Sequence, residues 1–124
     1  VYSKIIKTLK RQGLEITKRK PKENPKYYIE YSEVMPPLKA FSKIFDDEAN
    51  PSQQFGAIMT CDHASENCPI VPGAEKRISI TYLDPKISDG TPEQKAVYEE
   101  RSLQIATEMK YVFSQVTPNK LQSD

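Results

Sequence analysis

The chain has 124 residues, of which 37% are apolar, and this length and composition suffice for one buried core. We therefore predict a single domain over residues 1–118, followed by a short tail over residues 119–124. No apolar run approaches the roughly 18 residues that a membrane span requires, so we expect no membrane partner. The net charge of +1 is unevenly spread, because residues 1–40 hold 10 of the 18 basic side chains but only four of the 17 acidic ones.

The densest basic stretch is Lys18-Arg19-Lys20-Pro21-Lys22. A run of cations suits contact with phosphates, but this stretch has no interleaved aromatic side chains and no recognisable nucleic-acid-binding motif. We interpret it as a solvated loop, and the sequence predicts no nucleic-acid partner.

The first predicted element is a helix over residues 1–12. Ile5 and Leu9 fall on one helical face between lysines, and Gly13 follows as a candidate for the C-terminal cap. Residues 17–26 are rich in lysine and proline, so they are predicted to form a connector.

Four strands are predicted in the middle of the chain. Residues 26–33 place aromatic and β-branched side chains at alternate positions, which predicts a strand. Residues 38–45 are predicted to form the second strand of a hairpin after a break at residues 35–37. Residues 55–61 form a nearly continuous apolar run, which is typical of a strand buried on both faces of a parallel sheet. Residues 77–83 alternate apolar and polar side chains and are predicted to form the fourth strand.

The clearest element is a long helix that begins near Thr91. Thr91 suits the N-cap, Pro92 suits the first helical position, and Glu93 favours the positive end of the helix dipole. Apolar side chains then recur at helical spacing until Pro118. Strands followed by a terminal helix indicate an α/β layer architecture.

Candidate chemistry lies in the polar loop after the apolar strand. Cys61 and Cys68 are seven positions apart, so the two thiols can meet as a disulfide if the loop folds back. By spacing alone three interpretations stay open: a redox pair, two unreactive thiols, or a metal site completed by His63. The metal interpretation has only three of the four ligands that zinc normally takes. Two cysteines do not make a disulfide-stapled secreted scaffold, so we expect a cytoplasmic protein.

Several short motifs occur in the order in which one protein family has them. They are Met59-Thr60-Cys61, Glu66-Asn67-Cys68-Pro69, Pro72-Gly73, Lys76-Arg77-Ile78, Leu83-Asp84-Pro85 and Asp89-Gly90-Thr91. Over roughly residues 55–115 the chain resembles the thioredoxin-coupled arsenate reductases of the low-molecular-weight protein-tyrosine-phosphatase superfamily, and residues 1–16 resemble that family's second helix and the turn after it. The resemblance, looser over residues 17–54, implies part of the phosphatase-like α/β fold: a parallel sheet with flanking helices, a β-hairpin insert and a long C-terminal helix.

The resemblance implies roles for three residues. Asp84 resembles the general acid that protonates the leaving oxygen of a phosphoryl or arsenyl group, although Asp84 and Pro85 alone would be interpreted as a turn after a strand. Cys61 resembles the thiol that attacks a cysteine–arsenic adduct. Cys68 resembles the thiol that resolves the resulting disulfide and presents a Cys61–Cys68 bridge to thioredoxin or a glutaredoxin-like reductant. The implied relay needs no cofactor and no metal.

The chain departs from the family at the nucleophile. In the family this residue lies in a Cys-x5-Arg loop, whose N–H groups and Arg hold the arsenate or phosphate oxyanion. Here Asn67 stands six residues after Cys61 and Ala74 six after Cys68, so neither cysteine opens such a loop. The strand before that loop is central in the family's four-stranded sheet. We therefore expect an exposed apolar sheet edge that a partner segment or a homodimer covers, and no turnover by this chain alone.

Three hypotheses stay open. The first is part of an arsenate reductase or related phosphatase, whose gene encodes an upstream Cys-x5-Arg loop. The second is a non-catalytic protein that uses the same fold for redox sensing or partner binding. The third is a phosphatase in which Cys61 and Cys68 are only structural. Arsenate and phosphotyrosine carry nearly isosteric oxyanions, so the sequence does not choose between these substrates.

Overall fold

The computed structural model describes residues 1–19, 22–60 and 70–116, which form a mixed α/β structure. Its helices and strands are α1 (Ser3–Arg11), β1 (Glu15–Arg19), β2 (Lys26–Glu30), β3 (Leu38–Ala40), β4 (Phe55–Met59), β5 (Ala74–Ser79) and α2 (Gln94–Ser114), with a 3₁₀ turn at Pro85–Ser88 before α2. Strands β1, β2 and β3 form an antiparallel sheet in that order, and β4 pairs with β5 in parallel. The predicted α/β class is confirmed.

Helix α1 ends in the way that the sequence predicts. Gly13 has φ +99°, a left-handed conformation that glycine adopts without steric cost. Its N–H donates to the carbonyl of Lys10, and the N–H of Leu14 donates to the carbonyl of Leu9. These two bonds form a Schellman motif, which satisfies carbonyls at the end of the helix and turns the chain into β1.

The antiparallel sheet corrects the prediction for residues 17–26. Residues 17–19 belong to β1, which pairs with β2 from Glu15 opposite Glu30 to Arg19 opposite Lys26. Charged side chains suit an edge strand, since they discourage further pairing, and they concealed the strand in the sequence. The predicted hairpin between β2 and β3 is confirmed, although β2 ends at Glu30 and β3 has only three residues.

The parallel pairing of β4 with β5 is confirmed, but its burial was predicted wrongly. Side chains of β4 are half-buried or exposed, because no helix packs closely against either strand in the described part of the chain. Strand β5 begins earlier than predicted, at Ala74, and ends at Ser79. One further bond follows the strands, from the N–H of Ile80 to the carbonyl of Met59 at 3.0 Å.

Helix α2 begins later than predicted. Glu93 occupies the N-cap position without a side-chain hydrogen bond. The Thr91 hydroxyl donates instead to the carbonyl of Ser88 at 2.6 Å, so it stabilises the preceding turn rather than the helix. The predicted end of the helical segment at Pro118 and the tail over residues 119–124 lie outside the described residues.

The buried core is small. In the described ranges its hydrophobic members are Ile6, Tyr27, Tyr82 and Tyr98, and no side chain there is completely enclosed. Neither α1 nor α2 combines the length and the apolar character that crossing a bilayer requires. Three tyrosines and one isoleucine are therefore the most deeply buried hydrophobic side chains of the described residues, and each should contribute strongly to stability.

Candidate functional site

A large groove lies between the two helices and the parallel strands. Its volume is about 1180 Å³, above the roughly 300–1,000 Å³ of common small-molecule pockets. Its walls come from α1, the end of β4, residues 82–86 and α2, and most of them are apolar. The size and lining suit a segment of polypeptide better than a small molecule alone.

Asp84 lines this groove and is exposed. Its Oδ1 accepts a hydrogen bond from the N–H of Lys86 at 2.9 Å, and its carbonyl accepts one from the N–H of Ile87 at 3.3 Å. Asp84 therefore caps the 3₁₀ turn, as the turn interpretation predicts. Among the described residues Oδ2 has no hydrogen-bond partner, so one carboxylate oxygen remains available to a proton or a ligand.

A hydrogen-bonded cluster around Asp89 connects the two helices beside the groove. The Tyr98 hydroxyl donates to Oδ1 of Asp89 at 2.9 Å, the Tyr2 hydroxyl donates to Oδ2, and Nζ of Lys4 lies 3.0 Å from Oδ2. The rings of Tyr2 and Tyr98 are 6.4 Å apart between centroids. One carboxylate thus links α1, the segment after the 3₁₀ turn, and α2.

The contacts of this cluster shift three pKa values. The hydrogen bond from Tyr2, followed by those from Lys4 and Tyr98, lowers the pKa of Asp89 against the opposing effect of burial. The hydrogen bond to Asp89 raises the pKa of Lys4. Burial, and then the Asp89 carboxylate, raise the pKa of Tyr98. The cluster is therefore a carboxylate–ammonium pair beside a neutral Tyr98 at neutral pH.

These shifts predict how stability depends on pH. The ionised Asp89 stabilises the fold at pH values above its ordinary pKa of 3.8, and this stabilisation is lost as the pH falls through the lowered pKa. The charged Lys4 stabilises the fold at pH values below its ordinary pKa of 10.5, and this stabilisation is lost as the pH rises through the raised pKa. We expect the urea midpoint of Asp89→Asn to fall less than that of the wild type between about pH 6 and about pH 3. Equal acid sensitivity of the two proteins would contradict this assignment.

Two buried polar atoms in the groove wall have no hydrogen-bond partner within the described ranges. They are the hydroxyl of Tyr82 and Nε of Arg101. Burial raises the pKa of Tyr82, and the nearby carboxylate of Glu108 raises it further, so this hydroxyl has an acceptor close by although no hydrogen bond is formed between them. A buried donor without a partner destabilises a fold, so a segment that fills the groove and accepts a hydrogen bond from Nε of Arg101 would stabilise this one.

The structure places one of the three predicted site residues. Asp84 lies in the groove, whereas Cys61 and Cys68 lie outside the described residues, as does His63, the third candidate ligand of the metal interpretation. Thr60, which precedes Cys61 in the chain, lines the groove. Within the described ranges no three His, Cys, Asp or Glu side chains gather as a metal site.

Sequence reasoning missed the cluster around Asp89 and the two unpartnered atoms. The sequence shows Asp89 only as part of the Asp89-Gly90-Thr91 motif. The hydrogen bond that it accepts from Tyr2 joins residues 87 positions apart. No local pattern signals such a contact, because it depends on the packing of α1 beside α2.

The fold and the site define a mixed α/β protein with an open apolar groove and an exposed aspartate in its wall. Comparisons of the chain with models of protein families, with curated proteins and with solved structures found no match.

Proposed function

We propose that the chain is part of an arsenate reductase of the low-molecular-weight protein-tyrosine-phosphatase superfamily, in which Cys61 and Cys68 form a thioredoxin-coupled relay. One observation carries the proposal. Strands β4 and β5 are parallel, so their carboxyl ends lie at the same edge, where open α/β sheets place their sites. Thr60 leaves β4 toward Cys61, Asp84 follows β5, and both line one groove. Thr60, which precedes the proposed relay in the chain, and the proposed acid therefore lie at the same edge.

The roles in this proposal follow the resemblance. A nucleophilic cysteine outside these 124 residues forms a bond to arsenic, and Asp84 donates a proton to the oxygen that leaves. The thiolate of Cys61 attacks the sulfur of that adduct, and the sulfur–arsenic bond breaks with its electron pair on arsenic, which is reduced from As(V) to As(III). Cys68 then attacks the sulfur of Cys61 and frees the nucleophile, and thioredoxin reduces the Cys61–Cys68 bridge.

The groove supports a partner for this chain. Its volume exceeds that of a small-molecule pocket, and the buried Nε of Arg101 has no hydrogen-bond partner among the described residues. A segment bearing a strand and a Cys-x5-Arg loop would cover these walls and bring the nucleophile toward Asp84. In this proposal the segment comes from an upstream part of the same protein or from another chain, and these 124 residues alone turn over neither arsenate nor phosphotyrosine.

The test is a redox titration of the two thiols. The chain is equilibrated with glutathione buffers poised between about −320 and about −180 mV. Free thiols are then alkylated, and mass spectrometry counts how many thiols remain reduced. We expect a reversible intramolecular bridge whose potential lies above that of thioredoxin, about −270 mV, so that thioredoxin reduces it. Cys68→Ser is the matched control, and it should abolish the bridge without changing the fold. Thiols that stay unpaired at every poise would rule out the relay.

A second candidate is a non-catalytic redox-sensing or partner-binding protein. It is favoured by the hydrogen bond that already commits Oδ1 of Asp84 to the turn at Lys86, and by a groove that suits polypeptide. This candidate also predicts a reversible Cys61–Cys68 bridge. The coding sequence upstream of Val1 separates the two, because only a reductase requires a Cys-x5-Arg loop there or on a dedicated partner.

A further inference from the structure

One face of the antiparallel sheet carries cations and aromatic rings in adjacent rows. Cross-strand partners share a face, so Arg19 lies beside Lys26, and Tyr28 lies beside Lys39, on the face opposite the buried Tyr27. We call this surface the basic-aromatic face. It consists of Arg19, Lys26, Tyr28, Lys39, Phe41 and Lys43.

Three lysines surround one ring: Lys39 and Lys43 flank Phe41 in the chain, and Lys26 comes from β2. Nζ of Lys43 lies 4.5 Å from the ring centroid of Phe41, and Nζ of Lys26 and of Lys39 each lie 5.6 Å from it. In the neighbouring row the guanidinium carbon of Arg19 lies 4.7 Å from the ring centroid of Tyr28. Both rings are half-buried, so they form a floor under the cations.

A side-chain clamp holds this arrangement in place. The side-chain amide of Asn24 donates to the carbonyl of Ser42 at 2.7 Å, and the N–H of Ser42 donates to Oδ1 of Asn24 at 2.9 Å. Ser42 lies between Phe41 and Lys43 in the chain. The clamp therefore fixes these two residues beside the start of β2, where Lys26 lies.

Among the described residues, the cations on this face have no ion-pair partner. In the described part of the chain the ion pairs are Lys4–Asp89 and Arg11–Glu99, and neither involves the basic-aromatic face. The ring of Phe41 attracts each ammonium only weakly, whereas three like charges around one ring repel one another. A ligand with several negative charges would relieve this repulsion.

We propose that the basic-aromatic face binds single-stranded nucleic acid. Cations that follow the phosphates, together with aromatic rings on which bases stack, are the two components of sequence-tolerant single-strand sites. An acidic peptide would use the cations but gain little from the rings. A membrane surface would require apolar side chains that protrude, and the rings of Tyr28 and Phe41 are half-buried.

This proposal revises the expectation from the sequence. That expectation rested on the absence of aromatic residues within the basic run at residues 18–22. Pairing of the strands brings Tyr28 beside Arg19, and Phe41 beside Lys26, across gaps of nine and fifteen positions. The interleaving exists in the folded sheet and not along the chain, so a linear scan could not detect it.

The test is fluorescence anisotropy of labelled oligouridine and oligothymidine of about 12 nucleotides with the full chain, between about 50 and about 200 mM salt. We expect binding that weakens with salt, with a log–log slope of about −2 to −3 for four phosphate contacts. The combined change Lys26→Gln, Lys39→Gln and Lys43→Gln should weaken binding at least about tenfold and flatten the slope by about 2.

Two controls separate this face from general positive charge. The combined change Lys7→Gln, Lys10→Gln and Lys95→Gln removes the same charge from exposed helix positions, and it should leave affinity within about twofold. Phe41→Leu should weaken binding about fivefold without changing the slope, whereas Phe41→Tyr, which keeps the ring, should bind as the wild type does.

Three results would overturn the proposal. They are no binding at the lowest salt, equal losses in the two lysine variants, and tighter binding of phosphatidylserine vesicles or polyglutamate than of the oligonucleotides through the same lysines. Thermal unfolding of every variant is measured alongside. If Phe41→Leu unfolds, Tyr28→Leu carries the test of the rings, and it should weaken binding by a similar factor without changing the slope.

Discussion

Tyr98→Ala is expected to unfold the chain under conditions in which the wild type is folded. Tyr98 is only 4% exposed, and it contacts Tyr2 on the α1 side and Asp89 in the segment before α2. Removing a buried aromatic ring costs about 3–5 kcal/mol, and small domains have about 5–15 kcal/mol in total. With so few buried hydrophobic residues, this chain should lie near the lower limit. Far-UV circular dichroism in a urea titration measures the loss.

Two matched variants test whether the burial of this ring is responsible. Tyr98→Phe keeps the ring and removes only the hydroxyl that donates to Asp89, so it should cost about 1 kcal/mol. Tyr111→Ala removes the same side chain from a position of α2 that is 67% exposed, and it should stay within about 0.5 kcal/mol of the wild type. If Tyr98→Ala were as mild as Tyr111→Ala, the contact between α1 and α2 would contribute little to stability.

The helices could be predicted from the sequence because their signals are local. The apolar spacing of α1 and the glycine after it specify both its face and its end, and Gly13 closes the helix by hydrogen bonds within six residues. The prediction for the start of α2 was wrong for an equally local reason. The Thr91 hydroxyl can cap a helix or close a turn, and here it donates to the carbonyl of Ser88 and closes the turn. Strand β1 could not be recognised, because its charged residues become a strand only by pairing with β2.

The candidate site was predictable only in part. Asp84 stands in a motif that the sequence displays, and the structure places it in the groove. The groove itself, the Asp89 cluster and the unpartnered Arg101 come from residues that packing brings together from opposite ends of the chain. The roles proposed for Cys61 and Cys68 fall outside the described residues and stay predictions.

Asp84→Asn is expected to lower kcat about 10²- to 10⁴-fold once the chain is assembled with the segment that carries the Cys-x5-Arg loop. Asparagine has nearly the same shape, and its Oδ1 can still accept the N–H of Lys86, so the turn should persist. It cannot donate a carboxylic-acid proton to the leaving oxygen. The loss should be largest for substrates with basic leaving groups, such as alkyl phosphates, and smallest for nitrophenyl phosphate, whose leaving group needs little protonation.

A second aspartate provides the control for this substitution. Asp47 is half-buried, and its Oδ1 accepts the N–H of Ala49 at 2.8 Å, which is the same kind of turn contact as at Asp84. Asp47→Asn should therefore leave kcat unchanged, and neither substitution should alter the Cys61–Cys68 potential, because the thiol couple requires no acid from either residue. If Asp84→Asn keeps full kcat for both classes of leaving group, Asp84 only caps the turn. A reversible bridge in an assembly whose wild-type form shows no turnover would instead favour the redox-sensing alternative over the reductase.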